Sequence, residues 1–207
     1  MIRNRTRTRL ALAALATLAA SFGPAALAQA KQTCTPSHST TLASDSYARV
    51  YGRHGNAYVC IRASGKTSLL QGASPAGDHF ALGGTYVGWS SSPAPDPSNP
   101  SALPHSIVTV MHIPDHRVND RWYPAELNET VDKIVVLSDG AAAWAMTPPP
   151  GSDGAFTEIQ GTDRAGHPAD QFSDDHADVV GSSLHILAGK TIAWRYADGT
   201  TGTQTLF

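Results

Sequence analysis

Histidine is the first residue type that could carry chemistry here, since nine histidines occur among 207 residues. His112 and His116 stand four positions apart, a spacing that on a helix would place both rings on one face to share a metal ion. Pro114 lies between them, however, and residues 107–113 read as a short β-rich run. No glutamate follows His112, as a helical zinc motif requires. The pattern therefore favours polar residues of a turn.

Carboxylates cluster near the last third of the chain, at Asp170, Asp174, Asp175 and Asp178. Such hard oxygen ligands could bind Ca²⁺ in a loop, and the cluster is the metal site that the sequence suggests. The ligand order of an EF-hand loop is absent, so a solvated acidic loop explains the same residues. No other cofactor is predicted.

Catalytic motifs give no assignment. The chain has no G-x-S-x-G sequence, and its glutamates are three, namely Glu126, Glu129 and Glu158. Ser, His and Asp are plentiful, so a triad could be assembled from many combinations and none is preferred. The sequence therefore leans against an enzyme, with a secreted hydrolase built from scattered loop residues as the alternative.

One aromatic and basic group stands outside the regular pattern of the chain, at Arg121, Trp122 and Tyr123. Aromatic and arginine side chains dominate the energetics of binding surfaces, so the group is a candidate contact patch for a protein or a glycan. The alternative is that Trp122 fills the core between two structural units.

The elements that must position these residues are four similar hairpins. Each has a short β-rich run, a turn with glycine, a second run and a bulky last residue. Their turn glycines are Gly55, Gly84, Gly140 and Gly189, and their last residues are Cys60, Trp89, Trp144 and Trp194. Glycine suits tight hairpin turns, and the tryptophans suit one repeated core position. The insertions at residues 90–104, 119–130, 148–154 and 170–181 must then carry any activity.

These repeats predict an all-β fold of antiparallel hairpins. The segments SDGAAAW followed by FTEIQGTDRAGH, and LGGTYVGW followed by SIVTVMHIPDH, resemble blades of TolB-type or WD40-like β-propellers, over residues 46–207. The resemblance implies a partial or small propeller. In this interpretation the first and last units are abbreviated, and they either close a ring or end an open stack. A β-sandwich is the alternative fold.

The N-terminus predicts export. Residues 1–30 combine four arginines, an apolar Ala-rich run and the small-residue sites Ala26-Leu27-Ala28 and Ala28-Gln29-Ala30, the order of a cleaved secretory signal peptide. Cleavage would leave a single all-β repeat domain, residues 31–207, without a membrane span. That domain keeps 11 basic residues against 17 acidic ones, a net charge of −6. Such a charge argues against nucleic acid as a partner.

Export also fixes the chemistry of the two cysteines. An oxidising compartment favours a disulfide, and Cys34 and Cys60 are the pair available to form it. The expected protein is secreted, periplasmic or held at the cell surface. Its expected function is that of a non-catalytic binding or scaffold module for an extracytoplasmic protein or glycan.

Overall fold

The computed structural model describes residues 34–91, 106–122, 129–149, 156–165, 167, 171–173 and 178–207. All of these residues belong to one compact unit. They form β-strands with one short 3-10 turn at Gly181–Ser183. In chain order the strands are β1 Thr40–Ser44, β2 Ala48–Arg53, β3 Asn56–Ile61, β4 Thr67–Leu69, β5 Phe80–Gly83, β6 Tyr86–Ser91, β7 Ile107–His112, β8 Arg117–Trp122, β9 Thr130–Val136, β10 Ala142–Thr147, β11 Glu158–Thr162, β12 His185–Ala188, β13 Thr191–Arg195 and β14 Thr201–Thr205.

The strands pair into four small antiparallel sheets, each built from strands that follow one another along the chain. The first sheet is β1-β2-β3-β4 and the second is β5-β6-β7-β8. The third is β9-β10-β11 and the fourth is β12-β13-β14. The predicted all-β fold of antiparallel hairpin repeats is confirmed. Within the described residues, no helix is long and apolar enough to cross a membrane.

All four predicted hairpins form, at β2–β3, β5–β6, β9–β10 and β12–β13. The first turn shows why glycine stands there. His54 and Gly55 are its two central residues, and both have positive φ, at 50° and 78°. This is the conformation of a type I′ turn, whose twist matches that of the flanking strands. Glycine adopts it without steric cost.

The sheets pack face to face in chain order, and one tryptophan fills each of the three interfaces. Trp89 of the second sheet lies in a core shared with the first sheet. Trp144 of the third sheet packs against the second, and Trp194 of the fourth packs against the third. The last residue of each hairpin thus faces the preceding sheet. Among the described strands, none of the first sheet makes more than marginal contact with a strand of the fourth.

Within the described residues no sheet precedes the first one, and its outer face is covered by a different device. Cys34 and Cys60 form the predicted disulfide, with Cα atoms 5.5 Å apart. Around it lie Tyr51 and Tyr58, whose rings stack with centroids 5.4 Å apart. The guanidinium of Arg49 lies over the Tyr51 ring and donates to the Cys34 carbonyl. A stack of repeats needs such a cap at its end.

The last strand of the fourth sheet presents polar side chains on its outer face. On β14, the threonines at positions 201, 203 and 205 are exposed, while the intervening residues are half-buried. The exposed row is therefore on the face away from the third sheet, because successive residues of a strand point to opposite faces. The first sheet is thus covered by a disulfide-held segment, while the fourth exposes a threonine row and, on β12, Ile186 and Leu187.

One prediction about the repeats is wrong. The first unit was expected to be abbreviated, yet it is a complete four-stranded sheet because β1 pairs with β2. β1 has no marked alternation and is mostly exposed or half-buried, so the sequence gives little signal of it. The abbreviated units among the described residues are the third and the fourth.

Candidate functional site

The predicted patch and the predicted metal cluster are described only in part. Arg121 and Trp122 are the last residues of β8, paired with Thr109 and Val108. Tyr123 lies outside the described residues. The cluster members Asp170, Asp174 and Asp175 also lie outside them.

Asp178, the remaining carboxylate of that cluster, has a structural partner. Its Oδ1 accepts a hydrogen bond from the Thr157 amide at 3.1 Å, and its carbonyl accepts one from Ala197. Through these two contacts, Asp178 is bonded to the residue before β11 and to the segment that follows β13. Among the described residues, no three His, Cys, Asp or Glu side chains are grouped as a metal site.

A surface groove lies at the tip of the first hairpin and holds about 260 Å³. Its walls come from three parts of the chain: the segment before β1 with His38, the turn with Arg53 and His54, and the loop after β4 with Ser74 and Pro75. The floor includes Gly52. These residues are up to 37 positions apart by their numbers, and the first sheet brings them together.

Close backbone packing builds the groove. A Cβ on Gly52 would lie 2.7 Å from the Cβ of Pro75, so only glycine lets the loop after β4 rest on β2. The carboxylate of Asp78 accepts the Ser74 amide at 2.5 Å and holds that loop in shape. On the opposite wall, the Ser39 hydroxyl donates to the Pro36 carbonyl at 2.7 Å.

Both groove histidines have a left-handed backbone, with φ of 57° at His38 and 50° at His54. This region is uncommon for residues other than glycine, although histidine enters it more readily than most. At His54 the type I′ turn demands it, and asparagine would serve the turn as well. The turn therefore explains the backbone of His54 but does not explain its imidazole.

The groove is basic. Arg53, His38 and His54 line it, and the described lining residues include no carboxylate side chain. Arg53 ends β2 opposite Asn56 and is half-buried. Its Nε is enclosed by protein and has no hydrogen-bond partner within the described structure. A buried donor without an acceptor is costly, so this guanidinium is suited to an incoming anion.

A second constellation lies between the first two sheets. The Ser68 hydroxyl on β4 lies 2.6 Å from Nε2 of His116, in the turn between β7 and β8. At the end of β7, Nδ1 of His112 lies 2.8 Å from the carboxylate of Asp115 in the same turn. The hydrogen bond from the Arg117 amide is the largest cause that lowers the pKa of Asp115, and the hydrogen bond with His112 is the next. A serine hydroxyl bonded to a histidine is the arrangement of a nucleophile with its general base. Here, however, the Asp115 carboxylate contacts His112 and not His116.

The sequence predicted Gly55 as a turn glycine, but it did not predict a binding site at the adjacent Arg53 and His54. The only local signal was two basic residues beside a hairpin glycine in the segment GRHGN. The other wall residues give no signal of their own, because their role depends on the packing of Pro75 against Gly52.

Comparisons with known proteins bear on the fold alone. Neither the models of protein families nor the curated proteins give a match to this chain. Among solved structures, the chain is similar to the computationally designed Ika4 protein, with a TM-score of 0.50 and 12% identity. The similarity covers 82% of this chain and 93% of that one. The chain thus shares the overall arrangement of a designed protein, and the likeness assigns no activity.

Proposed function

We propose that this chain is an exported, non-catalytic binding module that holds an extracytoplasmic protein or glycan through the groove at the tip of its first hairpin. The observation that carries the proposal is Arg53, whose buried Nε has no partner while its side chain lines an open groove. The indole N–H groups of Trp89 and Trp194 are also enclosed without a partner among the described residues, but they lie in the core, whereas Arg53 lines a groove.

The rigid surroundings of the groove support binding rather than chemistry. The segment with His38 is held by the disulfide of Cys34, four residues earlier in the chain. The other walls are held by the type I′ turn and by the contact of Pro75 with Gly52. A preformed site binds with less loss of conformational freedom than a mobile one. The groove contains no serine or cysteine in hydrogen-bond contact with either of its histidines among the described contacts.

The proposal places the protein outside the cytoplasm as a secreted, periplasmic or surface protein. Support comes from the Arg-rich and Ala-rich leader of residues 1–30 and from the disulfide, which persists in oxidising compartments. The four stacked sheets, each with its glycine hairpin, are also compatible with kinship to TolB-type or WD40-like propellers. That kinship is part of the proposal.

The test uses the protein recovered after export of the full-length chain. Its mass reports whether residues up to Ala28 or Ala30 have been removed. The protein is then immobilised and exposed to panels of glycans and peptides, beside the variants Arg53→Gln and Arg195→Gln. Arg195 is exposed on the fourth sheet and serves as the matched control. Ligands lost with Arg53→Gln alone support the groove; equal binding by all three proteins contradicts it.

A secreted hydrolase is the second candidate function, because of the 2.6 Å contact between Ser68 and His116. Within the described residues, no hydrogen bond reaches the other ring nitrogen of His116. A serine-directed phosphonate probe separates the two functions. Labelling at Ser68 that disappears in His116→Gln would favour the hydrolase over the binding module.

A further inference from the structure

The ligand class of the groove follows from its charge and shape, and this step rests on the proposed function. We infer that the groove recognises a carboxylate carried by one small unit, either a free organic acid or the sugar acid of a glycan. The carboxylate pairs with the guanidinium of Arg53, and His38 and His54 line the same groove. The three side chains belong to one groove at the end of the first hairpin.

The sign of the charge is the first argument. In the part of the chain that the structure describes, the lining residues supply one permanent cation and two imidazoles, and no carboxylate. Asp78, the carboxylate of the adjoining loop, is bonded to the Ser74 amide. This basic site occurs in a chain with 17 acidic residues against 15 basic ones. A local field opposite to the overall charge favours an anionic ligand at this place.

The state of Arg53 is the second argument. No hydrogen bond or ion pair with another described residue holds its guanidinium, and its Nε is enclosed without an acceptor. Binding through the Nε edge requires this half-buried side chain to rotate toward the groove. Nε and one Nη then form a planar fork that matches the two oxygens of a carboxylate. A ligand oxygen would supply the acceptor that the fold does not.

Size and surroundings distinguish carboxylate from other anions. The volume of about 260 Å³ is below the range of about 300–1,000 Å³ typical of larger small-molecule sites. The groove therefore suits one acid or one sugar unit. Phosphate sites commonly use the N-terminus of a helix. The groove has none, since strands and loops build it.

The test is a ¹H–¹⁵N NMR titration of the exported protein with galacturonate, galactose, acetate and inorganic phosphate. Galacturonate and acetate are expected to shift the amides of Gly52 and Gly55 and the Nε–H signal of Arg53. Galactose is expected to leave them unchanged. Arg53→Gln should weaken carboxylate binding about tenfold or more, as loss of a charge-assisted hydrogen bond predicts. Arg53→Lys keeps the charge without the fork and should bind with intermediate affinity.

His54→Asn tests the histidine contribution without disturbing the turn. Asparagine before glycine favours the same type I′ turn, so the variant removes the imidazole and keeps the hairpin. Galacturonate affinity should fall while the unfolding midpoint stays that of the wild type. An unchanged affinity in this variant would remove His54 from the site.

The outcomes separate the ligand class from the binding function. If phosphate or galactose saturates the Gly52 and Gly55 shifts and carboxylates do not, the carboxylate assignment is wrong and the groove remains a binding site. If no probe shifts these amides and ligand capture survives in Arg53→Gln, both are wrong. Among carboxylates, tighter binding of an oligogalacturonate than of its monomer assigns a glycan, and equal binding assigns a free acid.

Discussion

Cys60 and Trp89 lie near the ends of two glycine hairpins, β2–β3 in the first sheet and β5–β6 in the second. Trp89 packs into the core between these two sheets, facing the sheet that precedes its own. Cys60 faces outward, on the side where the described residues form no further sheet, and binds Cys34 there. The disulfide and its segment thus take the place of a neighbouring sheet at the start of the stack.

Removal of the disulfide should therefore loosen the end of the stack. The chain-entropy model for a sequence separation of 26 predicts a loss of about 3–4 kcal/mol in the free energy of unfolding for Cys34→Ser with Cys60→Ser. Urea unfolding of the double variant, beside the wild type with and without reductant, measures it. A wild type whose unfolding midpoint does not move on reduction contradicts this role.

Trp89 should be replaceable by phenylalanine at small cost. Its side chain is buried, and its Nε1 is enclosed without a hydrogen-bond partner among the described residues. Trp89→Phe removes this unpaired donor together with part of the packing, so the two effects oppose each other. Trp89→Ala leaves a large cavity and should lose about 3–5 kcal/mol.

Chemical denaturation of the two Trp89 variants gives the comparison. A loss of less than half the alanine value for phenylalanine agrees with an unpaired indole N–H. Equal losses would mean that the indole makes a bond that the phenyl ring cannot replace.

Gly202 on β14 lies against the indole of Trp194, across the strand pair that joins them. A Cβ at position 202 would lie 2.3 Å from Cε2 of that ring, which is inside van der Waals contact. Because the tryptophan is almost fully buried, it has no room to withdraw. Gly202→Ala should therefore cost about 1–3 kcal/mol through overpacking.

The matched control is Thr203→Ala, an exposed residue of the same strand. Its stability should lie within about 0.5 kcal/mol of the wild type, as is usual at exposed positions. Thermal unfolding of both variants provides the measurement. A Gly202→Ala protein as stable as the control would show that Trp194 can shift.

The hairpins were predictable because their signals are local. Glycine at positions 55, 84, 140 and 189 marks each turn, and each has positive φ in the structure. β1 was missed because its five residues show no alternation and it forms only by pairing with β2. The groove was missed for a related reason: His38, Arg53 and Pro75 meet through the fold of the first sheet, and no spacing along the chain records that meeting.

A charge pair between neighbouring sheets should make stability depend on acid pH. Nζ of Lys190, in the β12–β13 turn, lies 2.6 Å from Oδ2 of Asp139, in the turn after β9. Burial raises the pKa of Asp139, but the bonds from Lys190 and the Ala141 amide outweigh it and lower the pKa below 3.8. The pair therefore contributes its full stabilisation at pH values above the ordinary pKa. This stabilisation is lost as the pH falls through the lower pKa of the folded state.

Unfolding free energies between pH 2 and pH 6 measure this effect. Asp139→Asn should lose about 0.2–1 kcal/mol at pH 6, the range for partly exposed ion pairs, and should approach the wild type below the folded pKa. The matched control is Asp198→Asn, another turn aspartate, whose pKa is lowered by Thr200 rather than by a cation. High salt should weaken the Asp139 effect, because ions screen the charge of Lys190. An Asp139→Asn loss that persists unchanged at pH 2 would assign the stabilisation to turn geometry instead of charge.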